Sequence, residues 1–369
     1  MKKSLLALAV LGAFAGAAQA QTSVTMFGIV DAALGHISTT NAGSVTGLSN
    51  SGINSSRFGV RGTEDLGGGM RAAFWLEAGV NNDSGSFGTT NTNNQSTGGT
   101  GGGGLTFNRR ATVSLLGNFG EVRLGRDYVP TFWNLTVFDP FGTVGVAQST
   151  NINLITAVPT SVRASNSIAY FLPSNLGGLY GQATYAFGEN NSTLANKRDG
   201  NHAGLRVGYA GGPFDIAVAA GKTKYVAGDY KVANIGGSYN FGFLKLMGQY
   251  GTNEVTNVTK WKTGLIGLTA PLGQGELRFA VSQTKVDNLI PAVPAPYSTY
   301  AVADGKATQF GIGYVYNLSK RTAAYAQYAH IKNRDGARFE VNTNGLNTPS
   351  LNTANGKSTG YEIGVRHSF

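Results

Sequence analysis

Cysteine is absent from this 369-residue sequence, and only four histidines are present. Without a thiol there is no disulfide framework, Cys-ligated zinc, iron–sulfur cluster or thiol nucleophile. His36, His202, His330 and His367 are widely spaced and read as strand-end or rim residues. Charge is scarce as well: Asp, Glu, Lys and Arg make up 13% of the chain, about half the usual ~25%. Beyond residue 20 no stretch comes near the ~18 uninterrupted apolar residues of a transmembrane helix. A mean hydropathy of −0.09 is too polar for a bundle of membrane helices. There is no Gly-x-Ser-x-Gly elbow, HExxH pair or Asp-rich calcium loop. Gly99, Gly101 and Gly104 spell a dinucleotide fingerprint, but they lie in an Asn/Thr/Gly run and precede a strand, which makes them a flexible loop. The expectation is a protein that is not an enzyme and holds neither cofactor nor metal.

What is abundant is glycine, with 54 residues, about twice the usual ~7% share. Base exceeds acid by 29 to 19. The first twenty residues stand apart. Lys2 and Lys3 precede an apolar run from Leu5 to Ala18, and Ala18-Gln19-Ala20 supplies a small-x-small cleavage site. That order is a secretory signal. Cleavage after Ala20 leaves 27 basic and 19 acidic residues, a net charge of +8, on a mature chain of residues 21–369. An exported chain makes anion attraction, rather than nucleic-acid binding, the use of that charge.

The rest of the sequence alternates with period two and is rich in Val, Ile, Tyr, Phe, Thr and Gly. Sixteen candidate strands are legible: Ser23–His36, Ser56–Glu64, Met70–Asn81, Phe107–Gly117, Glu121–Tyr128, Arg163–Leu172, Leu179–Gly188, His202–Ala210, Phe214–Tyr225, Tyr230–Phe241, Lys245–Val255, Trp261–Pro271, Glu276–Val286, Thr308–Leu318, Thr322–Lys332 and Ser358–Phe369. Connections alternate between tight turns, such as Gly117-Asn118-Phe119-Gly120, and long polar loops: Thr39–Ser55, Asn82–Thr106, Tyr128–Val162, Glu189–Asn201, Asp287–Ala307 and Asn333–Lys357. An even strand number with short turns at one end and long loops at the other is the signature of an outer-membrane β-barrel. Faces agree: Tyr361, Ile363, Val365 and Phe369 alternate with Glu362, Gly364, Arg366 and Ser368 in the last strand, so charge falls on the side a watery lumen would wet. Tyr170, Tyr180, Tyr209, Tyr239, Tyr250, Tyr314 and Tyr328 stand where an aromatic girdle would lie. The fold class expected is all-β, a 16-stranded antiparallel transmembrane barrel.

Five motifs in order carry a family resemblance over essentially the whole mature chain. They are Ser23-Val24-Thr25-Met26-Phe27-Gly28-Ile29-Val30-Asp31, Ser56 to Gly67 (SRFGVRGTEDLG), Gly120-Glu121-Val122-Arg123-Leu124-Gly125-Arg126, Tyr314 to Thr322 (YVYNLSKRT) and the closing Gly364-Val365-Arg366-His367-Ser368-Phe369. The chain resembles the general diffusion porins of Gram-negative outer membranes, in the branch common in β-proteobacteria. The resemblance implies a homotrimer in the outer membrane, in contact with lipopolysaccharide, passing small anions and hydrophilic solutes. It also implies a third loop folded into the lumen, here about residues 128–162, and a terminal Phe369 read by the barrel-assembly machinery.

Loop composition supports that carry-over. Phe132, Trp133, Leu135, Val137, Phe138 and Phe141 are too many apolar groups for a free external loop, and more than ~15 residues of loop usually have a function. Asp139, in Phe138-Asp139-Pro140-Phe141-Gly142, is the loop's single acid and resembles the family's loop-tip motif. Arg57, Arg61, Arg109, Arg110, Arg123, Arg126 and Arg163 all fall in the strands bracketing this loop. Matched to the family's wall of arginines, Arg57, one of Arg109/Arg110, and Arg163 are the expected cluster facing it. Strict alternation turns one member of each pair, Arg109/Arg110 and Arg123/Arg126, away from the lumen unless a bulge intervenes. Asp31, Glu77 and Asp127 are acids that could offset the cluster. The function expected is an anion-preferring diffusion channel. A solute-specific outer-membrane channel, a barrel-type adhesin and an outer-membrane hydrolase are the alternatives.

Overall fold

Alternation is what the backbone obeys. In the computed structural model, which describes residues 23–95, 100–101, 104–156, 158–288, 304–350 and 353–369, sixteen antiparallel strands close into one barrel. They are β1 (Ser23–Thr39), β2 (Arg57–Gly67), β3 (Met70–Asn81), β4 (Arg110–Gly117), β5 (Gly120–Tyr128), β6 (Arg163–Phe171), β7 (Leu179–Ala186), β8 (His202–Gly211), β9 (Phe214–Thr223), β10 (Tyr230–Asn240), β11 (Lys245–Val255), β12 (Thr259–Leu272), β13 (Gly275–Asn288), β14 (Gly305–Asn317), β15 (Thr322–Arg334) and β16 (Lys357–Ser368). Each pairs with its successor, and β16 closes on β1 from Ile29↔Ser368 to Thr39↔Ser358. Closure leaves no edge, so the ladders run from strand to strand around the wall, as a hydrocarbon surround demands. The segment expected as a signal, residues 1–20, lies outside the described residues.

Glycine does the tight turning where the chain reverses between β2 and β3. Gly67, Gly68 and Gly69 all take positive φ, between 61° and 78°, a region that costs a Cβ-bearing residue energy. The opposite end carries the long connections, with two exceptions: 224–229 and 256–258 are short turns there too.

The open loop expected over Thr39–Ser55 is replaced by a hairpin. β1 continues to Thr39, Ala42 N donates to Thr39 O at 3.1 Å, and a strand over Gly43–Asn50 returns along the upper half of β1. The chain then leaves the ladder at 51–56 and re-enters it as β2, paired with the lower half of β1 from Ile29↔Arg57 to Ser23↔Thr63. Asp31 holds this excursion. Its carboxylate accepts from Gly52 N (3.2 Å), Ile53 N (2.9 Å), Asn54 N (2.8 Å) and the Tyr325 hydroxyl, and it is fully buried.

Side chains divide as the sequence alternates. Val24, Met26, Val30 and Leu34 are exposed on the outer face while Asp31 and Ala33 are buried inside. Tyr361 and Ile363 are exposed while Glu362 between them is not. Tyr180 is the girdle candidate that faces the other way: its hydroxyl donates to Asp215 and its ring carries Arg206 at 4.7 Å, both on the inner side.

Candidate functional site

The chain between β5 and β6 forms two helices, α1 (Pro130–Val137) and α2 (Thr150–Asn153). Pro130 opens α1, where its missing N–H costs nothing. The loop is fastened to inward residues around much of the wall. Asn134 Nδ2 donates to Ala217 O (3.2 Å) and Asn234 Oδ1 (2.9 Å), and Arg206 Nε donates to Asn134 Oδ1 at 2.9 Å. Further along, Gln309 Nε2 donates to Ala147 O (3.1 Å), and Val146 N donates to Glu362 Oε1 (3.1 Å). Phe132, Leu135, Phe138 and Phe141 are buried, as their apolarity requires. Phe138 lies over Gly236, where any Cβ would overlap its ring. Trp133 differs: it is 40% exposed.

Asp139 turns the loop tip rather than presenting charge. Its carboxylate accepts from Phe141 N (2.9 Å), Thr143 N (3.2 Å) and Ser149 N (3.1 Å), and the residue is buried. Burial pushes its carboxyl above the ordinary carboxylate range, against the donated hydrogen bonds that favour the ion. Replacing it with Asn removes one of two acceptor oxygens and aims an amide at backbone donors. Asp139→Asn is therefore expected to loosen the loop, read as noisier open-channel current in lipid bilayers. A quiet variant with native conductance would show that the carboxylate does not hold the tip.

Opposite the loop, β2 to β6 bring three arginines together. Arg109 Nε lies 2.6 Å from Glu77 Oε1, and its Nη2 donates to the Tyr128 hydroxyl at 3.2 Å. Arg57 Nη1 lies 3.5 Å from the same Glu77 oxygen. Arg163 Nε donates to Arg109 O at 2.8 Å, and its guanidinium lies 4.3 Å from the Tyr128 ring centroid. Among the described residues Arg163 makes no ion pair, so one carboxylate faces three guanidinium groups. A cavity of about 590 Å³ lies between this cluster and the loop, lined by Arg57, Arg109, Arg163, Trp133, Phe141 and Thr143 among others.

The remaining candidates sort by face. Arg110 joins Arg109 on the inner side, because the ladder starts only at Glu77↔Arg110 and Arg109 lies beyond it, outside the alternation. Its Nε is 3.1 Å from Thr112 Oγ1 and 3.5 Å from Asp127 Oδ2. Arg123 is inward and bound to Glu121 (2.7 Å) and Asp127 (2.6 Å). Arg126 takes the other direction and donates to Asn108 O (2.6 Å), Asn91 O (3.3 Å) and Ser165 Oγ (2.8 Å). Arg61 stacks over Phe27 (5.2 Å) and Trp75 (4.9 Å), away from the three-arginine cluster. The acids that could offset the cluster are engaged: Asp31 with backbone, Glu77 and Asp127 with arginine. Alternation could have pointed Arg206 inward, but no sequence signal links it to Asn134 on the loop.

A closed antiparallel barrel with an apolar outer face and an arginine-lined interior defines an outer-membrane channel. A family model described as Gram-negative porin matches residues 7–336. Outer membrane porin protein 32 of Delftia acidovorans is 38% identical, with all of both chains covered. An outer membrane porin protein of Bordetella pertussis is 30% identical, again over the full length of both. Among solved structures, an anion-selective porin from Comamonas acidovorans is 35% identical and superposes with a TM-score of 0.79, covering 95% of this chain and all of that one. The chain belongs to the Gram-negative porin family: it is a channel of the outer membrane, not an enzyme.

Proposed function

We propose that the channel is anion-preferring, and that the loop over residues 128–162 and the Arg57–Arg109–Arg163 cluster form its constriction. The observation that carries this reading is the charge imbalance: three guanidinium groups share Glu77 alone, while the loop's acid is buried in its own tip. Low-dielectric walls focus that field across a narrow passage, and rings of Arg in a pore favour anions. Small hydrophilic solutes pass as size permits. In bilayers under a KCl gradient the reversal potential is expected on the chloride side, shrinking as both baths rise from 0.1 to 1 M because the Debye length falls from ~10 Å to ~3 Å. A potassium-preferring pore would overturn the reading.

The same proposal covers partners and processing. The signal over residues 1–20 is removed after Ala20, leaving the barrel over 21–369. The family resemblance supports a homotrimer. A cationic belt on the outer face supports contact with lipopolysaccharide phosphates: Lys222↔Lys231, Lys262↔Lys285, Lys285↔Lys306, Lys306↔Arg334 and Lys332↔Lys357 are direct cross-strand pairs at the loop end. Like charges opposite one another destabilise a sheet. Lys222, Lys231, Lys285 and Lys306 are relieved by Asp229, Glu254, Asp287 and Asp335 at 2.8–3.5 Å, while Lys262, Lys332 and Lys357 make no ion pair among the described residues and fit a surface that meets anions. Phe369 serves as the signal to the barrel-assembly machinery.

A further inference from the structure

On the inner wall beside the constriction lies a second cavity, of about 470 Å³, between β2–β7 and α1. Its lining combines Arg57, Arg110 and Arg123 with Trp75, Trp133 and Phe171. Guanidinium groups are laid on rings: Arg110 lies 4.6 Å from the Trp75 centroid, and Arg123 lies 4.0 Å from that of Phe171. Stacking fixes the plane of a guanidinium and leaves its N–H edge free to meet a planar carboxylate.

The arginines here are not equally committed. Arg109 and Arg123 are held by carboxylates at 2.6–2.7 Å. Arg57 and Arg110 lie 3.5 Å from Glu77 and Asp127 and spend Nε on neutral oxygens, Ser55 O (2.8 Å) and Thr112 Oγ1 (3.1 Å), with about a fifth of each side chain exposed. Two guanidinium groups therefore keep unspent donors at the cavity's edge. Across from them the half-exposed Trp133 offers an indole; its ring touches Tyr128, at 5.4 Å between centroids. A channel that only repelled cations would need no such surface. The lining also holds Glu77 and Arg109, spent on each other at 2.6 Å, and Asp127, spent on Arg123 at 2.6 Å, so the donors still free converge on one side of an aromatic wall, the build of a small-molecule site.

We infer that this cavity is a binding subsite for aromatic carboxylates, with the carboxylate on Arg110 and Arg57 and the ring against Trp133. The inference rests on the anion-preferring reading and gives it a solute class: anions with a planar ring dwell here while chloride passes. Trp75, whose Nε1 donates to Glu77 at 3.1 Å, braces Arg110 from behind.

The test is block of chloride current by benzoate in single channels, with cyclohexanecarboxylate and acetate as matched anions. Benzoate is expected to block saturably and at lower concentration than cyclohexanecarboxylate, with acetate far weaker. Trp133→Leu and Arg110→Gln should each raise the half-blocking concentration of benzoate about three- to tenfold, the size of one aromatic contact. Lys262→Gln, on the outer face, serves as the unaffected control. Chloride conductance without benzoate reports whether each variant is folded. Equal block by the two ring acids, or an unchanged benzoate response in either variant, would overturn the subsite. The KCl reversal potential, measured in the same bilayers, reports separately on anion preference.

Discussion

Deleting Phe369 is expected to reduce the amount of assembled channel in the outer membrane sharply, while processed chain still reaches the periplasm. Phe369 is joined to β1 at the barrel's seam: its N–H donates to Gly28 O at 3.0 Å, and Gly28 N donates to Phe369 O at 3.1 Å. Its ring lies over Gly28, in the space a Cβ would take. Deletion removes two backbone hydrogen bonds, about 1 kcal/mol net each, together with the ring that covers the seam. Gly28→Val separates the two roles of this residue. It keeps the terminal aromatic that the assembly machinery would read but drives the ring off the strand. If recognition dominates, Gly28→Val assembles nearly normally and only loses heat stability, seen as a lower temperature of oligomer dissociation on electrophoresis. Native outer-membrane levels after deletion would show that neither role matters.

Most of the wall was legible because one periodicity governs it. Lipid outside and water inside impose alternation on every strand, and all sixteen candidates appear within a few residues of their expected ends. What could not be read was whatever broke alternation or joined distant parts. Arg109 and Arg110 face the same side because the ladder begins between them, a choice made by Asn108 and Glu77 rather than by their own types: Gly79 N donates to Asn108 Oδ1 (2.8 Å), and Arg109 N donates to Glu77 O (3.1 Å). The hairpin at 39–50 was hidden because its return strand, Gly43–Asn50, is small and polar and gives no alternating apolar signal. Asp139 could be picked out as the loop's one acid, but whether a lone carboxylate faces water or folds back on backbone donors depends on the turn it makes. Arg206 and Asn134 meet across 72 residues, and single-sequence reasoning has no access to such a pair. The wall follows from its solvent; the constriction follows from contacts.

Replacing Arg57, Arg109 and Arg163 together by Ser is expected to reverse the sign of the selectivity, the largest functional change any substitution here should make. The three residues are the cluster's cations and Glu77 is its anion, so the local balance passes from a surplus of two positive charges to one negative charge. Conductance should hold or rise, since three long side chains leave the passage. Glu77 decides how far the reversal goes. Buried carboxylates stripped of their partners are costly; this one borders a cavity that water can fill and keeps the hydrogen bond from Trp75 Nε1 at 3.1 Å, so it is the acid left beside the passage once the three arginines are gone. Adding Glu77→Gln to the triple variant should then bring the pore close to non-selective. Two reversal potentials under a KCl gradient at 0.1 M salt, where screening is weakest, check both steps: cation preference for the triple variant, near-zero preference for the quadruple. A triple variant that stays anion-selective would move the filter elsewhere in the lumen, to Arg110 or Arg123. A quadruple variant as cation-selective as the triple would take Glu77 out of the account and leave Asp127 and Glu121, released from no partner by these changes, as the charges that cations follow.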